Sequence, residues 1–516
     1  METFPDKAYW SAKAAQMKFP TQLFIDGKWQ DAVSRKRFPS VNPATGALLT
    51  EVAEADSADV NIAVANAREA FEDGRWSQLP PRERGRRLIR LAEIIERHRE
   101  ELALMETLDV GKPIHDSYHI DMAGIIRTFA WHGEATDKVY DEIAPTEAGS
   151  IGMITREPLG VVAAVVPWNF PLDMAAWKVA PALAAGNSVI LKPAEQSPLT
   201  ALRLAELALD AGIPAGILNV LPGYGPTAGK ALGLHPDVDC LAFTGSTEVG
   251  KLFLQYSGQS NMKRVWLECG GKSPNIIFAD CDDLDAAAQA AAMAIFFNQG
   301  EVCSAGSRLL VENSIRESFV EKVIAAGAFL KPGDPLDPTT RIGAIISNKQ
   351  LTRVMGYIDA GRKQGARLRL GGERVSLESG GYYLAPTIFD NVQSHMTIAQ
   401  EEIFGPVLAV LGFDSEDEAL CIANDSTYGL GAAVWTGNIS RAHRMAKRLR
   451  AGTVWINAYE EGDATVPFGG FKQSGFGRDK SLHAIDKYTD LKTTWIHIDP
   501  LTQADKNFLQ DPQSSL

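Results

Sequence analysis

The chain has 516 residues, more than one hydrophobic core comfortably serves, so two or more domains are expected. Apolar residues make up 45% and charged residues 22%, as in an ordinary globular protein. A formal net charge of -13 leaves no basic surface for nucleic acid or for an anionic membrane.

The opening stretch "METFPDKAYWSAKAAQMKFP" lacks the basic start and apolar core of a secretory leader. The apolar run "GVVAAVVPW" is far shorter than the roughly 20 residues that span a bilayer. Cys240, Cys269, Cys281, Cys303 and Cys421 are scattered and form no CxxC pair. No disulfide framework or metal site is therefore expected, and a reduced cytoplasm is the expected compartment.

Up to Gly160 the pattern reads as mostly helical. The charges of "RERGRRLIRLAEIIERHREELALMETLD" mark a solvated helix face. From Gly160 short apolar runs alternate with helical ones. "GVVAAVVPWNFP" reads as a strand, "AAWKVAPALAAGN" as a helix ending at Gly186, and "SVILKPA" as a second strand. "SPLTALRLAELALDAG" reads as a helix with Ser197 as N-cap and Gly212 as its stop. "VDCLAFTGS", "TEVGKLFLQYSG" and "KRVWLECGG" continue the alternation, which predicts βαβ units and a doubly wound parallel sheet. The pattern restarts after Gly271 with "NIIFAD", an Ala-rich helix, "SRLLVE", "GPVLAVLGF", "GLGAAVWTG" and "TVWIN", a second α/β domain. Residues 499–516 lack periodicity and read as a loose tail.

Several stretches carry chemistry. "FTGSTEVGK" leaves a strand and enters a helix, whose N-terminal N–H groups and dipole suit a pyrophosphate. Leu252 stands where a nucleoside triphosphatase needs a hydroxyl, and GxGxxG is absent. "LKPAEQSP" puts Lys192 and Glu195 at a strand end, where open α/β sheets bind ligands, and a surface ion pair is the equal alternative. In "FFNQGEVCSAGSRLLVE", Cys303 follows a polar break with Gly300 and Gly306 on either side. It reads as displayed in a turn rather than packed in an apolar stripe.

In order and spacing, "VPWNFP", "LKPAEQSP", "FTGSTEVG", "WLECGGKSPNI", "NQGEVCSAGSR", "EEIFGPV" and "PFGGFKQSGFGRD" resemble the aldehyde dehydrogenase family, over nearly the whole length from "LFIDGKW" to "TDLKTTWI". Through "AYW", "SNMKRVWLE", "ETLDVGKPI" and "GFGRDKSLHAIDKYTDLKTTWI" the chain is most similar to bacterial aminoaldehyde dehydrogenases of polyamine and agmatine breakdown. Those enzymes oxidise γ-glutamyl-aminobutyraldehyde or guanidinobutyraldehyde.

The resemblance implies NAD-dependent oxidation of an aldehyde to its acid, with Cys303 as nucleophile, Asn169 in the oxyanion hole and Glu268 as general base. Cofactor contacts would come from Trp168, Lys192, Glu195, Gly245, Ser246, Gly250, Glu402 and Phe404. Phe170, Trp177 and Phe468 match an aromatic lining that sheathes the alkyl chain and attracts a cation. Asp121, Asp173 and Asp463, with Glu460 and Glu461 nearby, would hold a distal cation. Cys269, Glu301 and Asp479 depart from common family forms. Cys269 reads as a small filler, Glu301 as a charge that raises the thiol pKa, and Asp479 as an assisting carboxylate.

The implied fold is α/β, with a doubly wound cofactor domain (1–139 and 160–270), an α/β catalytic domain (271–485) and a small β flap for homo-oligomerisation (140–159 and 486–498). Alternatives are a general or betaine-type aldehyde dehydrogenase and a cofactor-free cysteine hydrolase or esterase. Beyond a small-molecule aldehyde and copies of itself, no nucleic-acid or membrane partner is expected.

Overall fold

Apolar runs separated by amphipathic helices assemble into two large mixed sheets, a three-stranded third one and two two-stranded hairpins. The computed structural model describes residues 4–147, 149–375, 378–498 and 506, so the tail expected over 499–516 lies, but for Lys506, outside them. The first sheet has the order Lys28–Gln30, Leu23–Ile25, Leu218–Val220, Ser188–Lys192, Val161–Val165, Cys240–Gly245, Arg264–Cys269 and Gly475–Phe476. From Leu218–Val220 to Arg264–Cys269 every pairing is parallel. Successive residues of these strands feed opposite cores. Val162, Ala164, Val189 and Leu191 join one cluster; Val161, Ala163, Ile190 and Leu241 join the other. Both faces are covered by helices, so the strands read as unbroken apolar runs rather than as alternating ones.

The second sheet runs Arg367–Leu370, Thr387–Asp390, Val407–Phe413, Arg308–Glu312, Pro274–Ile277, Gly431–Trp435 and Thr453–Ile456. It too is buried between two clusters, with Ile276, Leu310 and Val434 on one face and Ile277, Leu309 and Val410 on the other. In the third sheet, Thr489–His497 pairs antiparallel with Ser150–Pro158, which also pairs with Glu142–Ala144.

Three expectations are corrected. The first sheet is not parallel throughout, because the hairpin Leu23–Ile25/Lys28–Gln30 and Gly475–Phe476 close its edges in antiparallel fashion. The region up to Gly160, expected to be mostly helical, also holds four short strands in its first 60 residues. The hairpin turns on Asp26 (φ 54°) and Gly27 (φ 69°), the left-handed pair that an Asp-Gly turn adopts between twisted strands. The helix expected to be capped by Ser197 runs Leu199–Asp210, with Pro198 in the cap position and no side-chain cap bond.

Candidate active site

The carboxyl ends of the parallel strands in the first sheet face loops of the second. Val161–Val165 runs on to Trp168, Asn169 and Phe170 before the helix Pro171–Ala185. Arg264–Cys269 brings Glu268, and Cys240–Gly245 turns through Ser246 into the helix Thr247–Gln259. Ser246 caps that helix by accepting the Val249 N–H at 3.3 Å, so the dipole end faces the strand ends. Across the seam lie Cys303, between the helix Leu284–Phe296 and the strand Arg308–Glu312, and Glu402 with Phe404, ahead of Val407–Phe413. Together they enclose a cavity of about 390 Å³ lined by Asn169, Gly245, Glu268, Cys303, Glu402 and Phe404 among others.

The Cys303 loop is held in shape by polar tethers. Asn298 (φ 46°), Gln299 (φ 58°) and Gly300 (φ 71°) form a left-handed run, unfavourable by about 1 kcal/mol or more for each non-glycine residue. The Asn298 amide donates to the carbonyls of Asn169 and Glu301, each at 3.2 Å. The Gln299 side-chain Oε1 accepts the Gly343 N–H at 2.8 Å. Gly300 is required, because a Cβ there would run into the backbone of Gly405. The turn read from the glycines is therefore present, and it is fastened to the Asn169 segment.

Charge in the cavity is costly. Burial, then the negative charges of Glu268, Glu460 and Glu402, push the Cys303 thiol up. Burial, then Asp479, pushes Glu268 up to about 8, and its Oε1 has no hydrogen-bond partner. Asn169 is buried and donates one amide N–H to the Glu301 carbonyl at 2.9 Å; an amide has a second to offer. Glu301, expected to raise the thiol, is not among the charges that push Cys303 up. Its side chain turns to the Ile346 N–H (3.1 Å), and burial pushes its own carboxyl well above the usual range. Asp479 is buried between Lys178 and Lys487, ion-paired with both and held below its usual range by their charges against burial. Cys269 is buried with its Sγ 3.0 Å from where a Cβ on Gly250 would stand, a filler between strand and helix.

On the cofactor side, Lys192 is buried at the end of Ser188–Lys192 and donates to the Pro193 carbonyl at 2.9 Å; burial lowers it to about 8. Glu195 is half-buried three residues on. Glu402 accepts the Gly271 N–H at 3.1 Å and is pushed up to about 7 by burial. A Cβ on Gly270 would collide with that carboxylate. Trp168 meets Phe404 edge-on at 5.2 Å. A capped helix N-terminus, a glycine that leaves room beside a carboxylate, and an aromatic pair on one cavity fit a dinucleotide.

Of the residues expected on the substrate side, Phe170, Trp177 and Phe468 line the cavity, with Trp177 and Phe468 5.4 Å apart and Phe170 stacked on Phe297 at 6.2 Å. The acids differ from the expectation. Asp121 is buried and ion-paired with Lys112 at 2.6 Å, and exposed Asp463 pairs with Arg127 at 3.0 Å. Asp173 lines the cavity, where its Oδ1 accepts the Trp177 indole N–H at 3.1 Å.

Sequence reasoning missed Gln350 and Arg353, which line the cavity and hold the Glu402–Phe404 loop through its carbonyls at 2.7–3.3 Å. It also missed Lys178 and Lys480; no local pattern marks them.

Comparison with known proteins is consistent with this geometry. The Escherichia coli (strain K12) NADP/NAD-dependent aldehyde dehydrogenase PuuC is 52% identical over 496 residues, 96% of this chain and 99% of its own. The crystal structure of an indole-3-acetaldehyde dehydrogenase in complex with NAD+ is 58% identical with a TM-score of 0.95, covering 96% of this chain and all (100%) of that one. That of a gamma-glutamyl-gamma-aminobutyraldehyde dehydrogenase from Burkholderia cenocepacia is 57% identical with a TM-score of 0.94, at the same coverage. The model of the aldehyde dehydrogenase family matches residues 29–494, and the chain belongs to that family of NAD(P)-dependent oxidoreductases.

Proposed function

We propose that the chain oxidises an aminoaldehyde to its carboxylic acid through a thioester on Cys303, with Asn169 and Glu268 serving the two halves of the reaction. The supporting observation is that Cys303, Asn169 and the unpartnered carboxyl of Glu268 line one cavity with the cofactor-side residues. The Cys303 thiolate adds to the aldehyde carbon. The free N–H of the Asn169 amide and the Cys303 backbone N–H receive the oxyanion, a stabilisation worth on the order of a hundredfold in rate per donor. Bound NAD supplies the acceptor for the hydride that leaves this carbon. Glu268 then takes a proton from water as it attacks the thioester, which releases free acid. Lys192, Glu195 and Glu402 would hold the riboses. Trp168, Gly245, Ser246 and Gly250 would flank the adenosine and phosphates.

The aminoaldehyde preference draws on the likeness to the Burkholderia enzyme. The same reading divides the chain into a cofactor domain (1–139, 160–270), a catalytic domain (271–485) and an oligomerisation flap (140–159, 486–498). It also makes the chain a homo-oligomer. The flap strand Thr489–His497 exposes Leu491, Trp495 and Ile496, apolar edge surface that a second copy would cover.

The test is reduction of NAD by an aldehyde panel with wild type and Cys303→Ala. The variant should lose turnover and keep cofactor binding in a fluorescence titration. Turnover in the variant would refute the assignment, and ester hydrolysis by a wild type that binds no cofactor would favour a cysteine hydrolase.

A further inference from the structure

The aldehyde cavity continues outward into a second one of about 290 Å³, and Phe170, Asp173, Trp177, Glu460 and Lys480 belong to the walls of both. The sequence motifs assign no role to Lys480. Its Nζ stands 4.2 Å from the centre of the Trp177 ring and 5.9 Å from that of Phe468. Lys112, buried behind the wall, lies 4.0 Å from the Phe170 ring. The aromatic faces expected to attract a substrate cation thus already carry the chain's own ammonium groups.

The two lysines differ in their pairing. Lys112 is ion-paired with Asp121, and Lys178 and Lys487 share Asp479. Among the described residues no carboxylate lies within ion-pair distance of the Lys480 ammonium. Its placement is also enforced. Lys480 (φ 57°) and Ser481 (φ 54°) are successive left-handed non-glycine residues, which a freely swinging surface lysine does not need. Asp479, locked by its two lysines, exchanges backbone hydrogen bonds with Phe468 at 2.7 and 2.8 Å. The Ser481 N–H is tied to the Ala464 carbonyl at 2.7 Å. Beside it Asp173 lies opposite Gly124, where a Cβ would stand 3.4 Å from its Oδ1. The Lys480 charge favours ionised Asp173 against its burial.

Glu460, in the walls of both cavities, also feels the Lys480 charge, while burial pushes its own carboxyl up. A cation outside ion-pair reach of any carboxylate, with the carboxylate of Asp173 in the same walls, matches an end group of opposite charges. We propose that Lys480 determines specificity by binding a carboxylate at the far end of the aldehyde, with Asp173 receiving an ammonium on the same end. The preferred substrate is then an aldehyde with an amino-acid-like terminus rather than a bare ω-ammonium group, which would meet Lys480 as a like charge. This inference rests on the aldehyde-oxidising reading.

The test compares wild type, Lys480→Ala, Lys480→Arg and Lys480→Glu on aldehydes of equal length ending in a neutral, an ammonium, a carboxylate or an amino-acid group. Wild type should favour the carboxylate-bearing ends. Lys480→Ala should raise the KM ratio of carboxylate-ended to neutral aldehyde about tenfold, Lys480→Arg should restore it, and Lys480→Glu should turn the preference towards ammonium. An unchanged ratio in Lys480→Ala, or a wild-type preference for bare ammonium, overturns the proposal. Binding of the matching dicarboxylic acid, read as a thermal shift, reports on Lys480 without turnover. Loss of that shift in Lys480→Ala supports the site, and an equal shift in both proteins overturns it. Failure of wild type to oxidise even the neutral aldehyde strikes the catalytic reading instead.

Discussion

Glu268 titrates near 8 because burial and the charge of Asp479 both oppose its ionisation. A group with that value is about one-tenth ionised at pH 7 and about nine-tenths at pH 9, so deacylation should rise about tenfold between them and then level off. Glu268→Gln should abolish this rise and lower steady-state turnover by roughly 10²- to 10⁴-fold. A single burst of reduced cofactor per site should remain, because acylation of Cys303 does not need the base. The folded-state value lies above the reference value of 4.5. The carboxyl therefore leaves the fold unpenalised below pH 4.5 and destabilises it increasingly as pH rises towards 8, by at most about 3 kcal/mol at pH 7. Glu268→Gln should then gain in thermal stability over wild type at pH 7 and not at pH 4.5. Stopped-flow and steady-state pH profiles, with melting curves at the two pH values, check all three. An unchanged profile with no burst would remove Glu268 from deacylation, and a pH-independent stability difference would contradict its buried neutral state.

Glu195 should favour NAD, since a carboxylate suits ribose hydroxyls and repels a phosphate in their place; Glu195→Gln should narrow the kcat/KM ratio of NAD to NADP, and equal wild-type values would refute this. Asp479→Asn leaves Lys178 and Lys487 without their buried counter-charge, so a loss of about 3–5 kcal/mol in denaturant unfolding is expected. It should also move the Glu268 pH profile downward, because the Asp479 charge raises that carboxyl; a stability loss below about 1 kcal/mol or an unmoved profile would refute the argument. Trp495→Glu should shift the chain to a smaller species in light scattering, and an unchanged mass would exclude that face from assembly.

What was legible in the sequence follows from range. Strands such as Val161–Val165 and Ser188–Lys192 announce themselves as apolar runs between helices because both faces are covered. Leu23–Ile25 and Lys28–Gln30 are three residues each, too short for a period, although the Asp-Gly between them was a usable hairpin signal. Cys303, Glu268 and Asn169 could be named because the motifs that hold them carry the resemblance to the family; of the three, only Cys303 also stood out by itself, in its glycine-flanked turn. The charges could not be sorted in that way. Asp121, Asp173 and Asp463 look alike in sequence, and only folding gives the first Lys112, the last Arg127, and the middle one an indole N–H. Lys480 lay within a quoted motif, but neither its left-handed backbone nor its lack of a carboxylate partner has a local signature.

Several unfavourable features of the chain lie where the two large sheets meet. Left-handed residues occur in runs at Asn298–Gln299 and Lys480–Ser481, and burial pushes up the carboxyls of Glu268, Glu402 and Asp173 in the same cavity. Strain and desolvation of this kind persist only where the surroundings over-determine them. Here the apolar clusters on both faces of each sheet supply that support, and the Asn298, Gln299 and Asp479 tethers transmit it to single side chains. Substitutions that relieve the seam should therefore stabilise the chain while weakening its chemistry, whereas substitutions in the sheet cores should weaken both. Glu268→Gln separates the two cases: stability and turnover must move in opposite directions at pH 7, as they would not if Glu268 were ordinary packing.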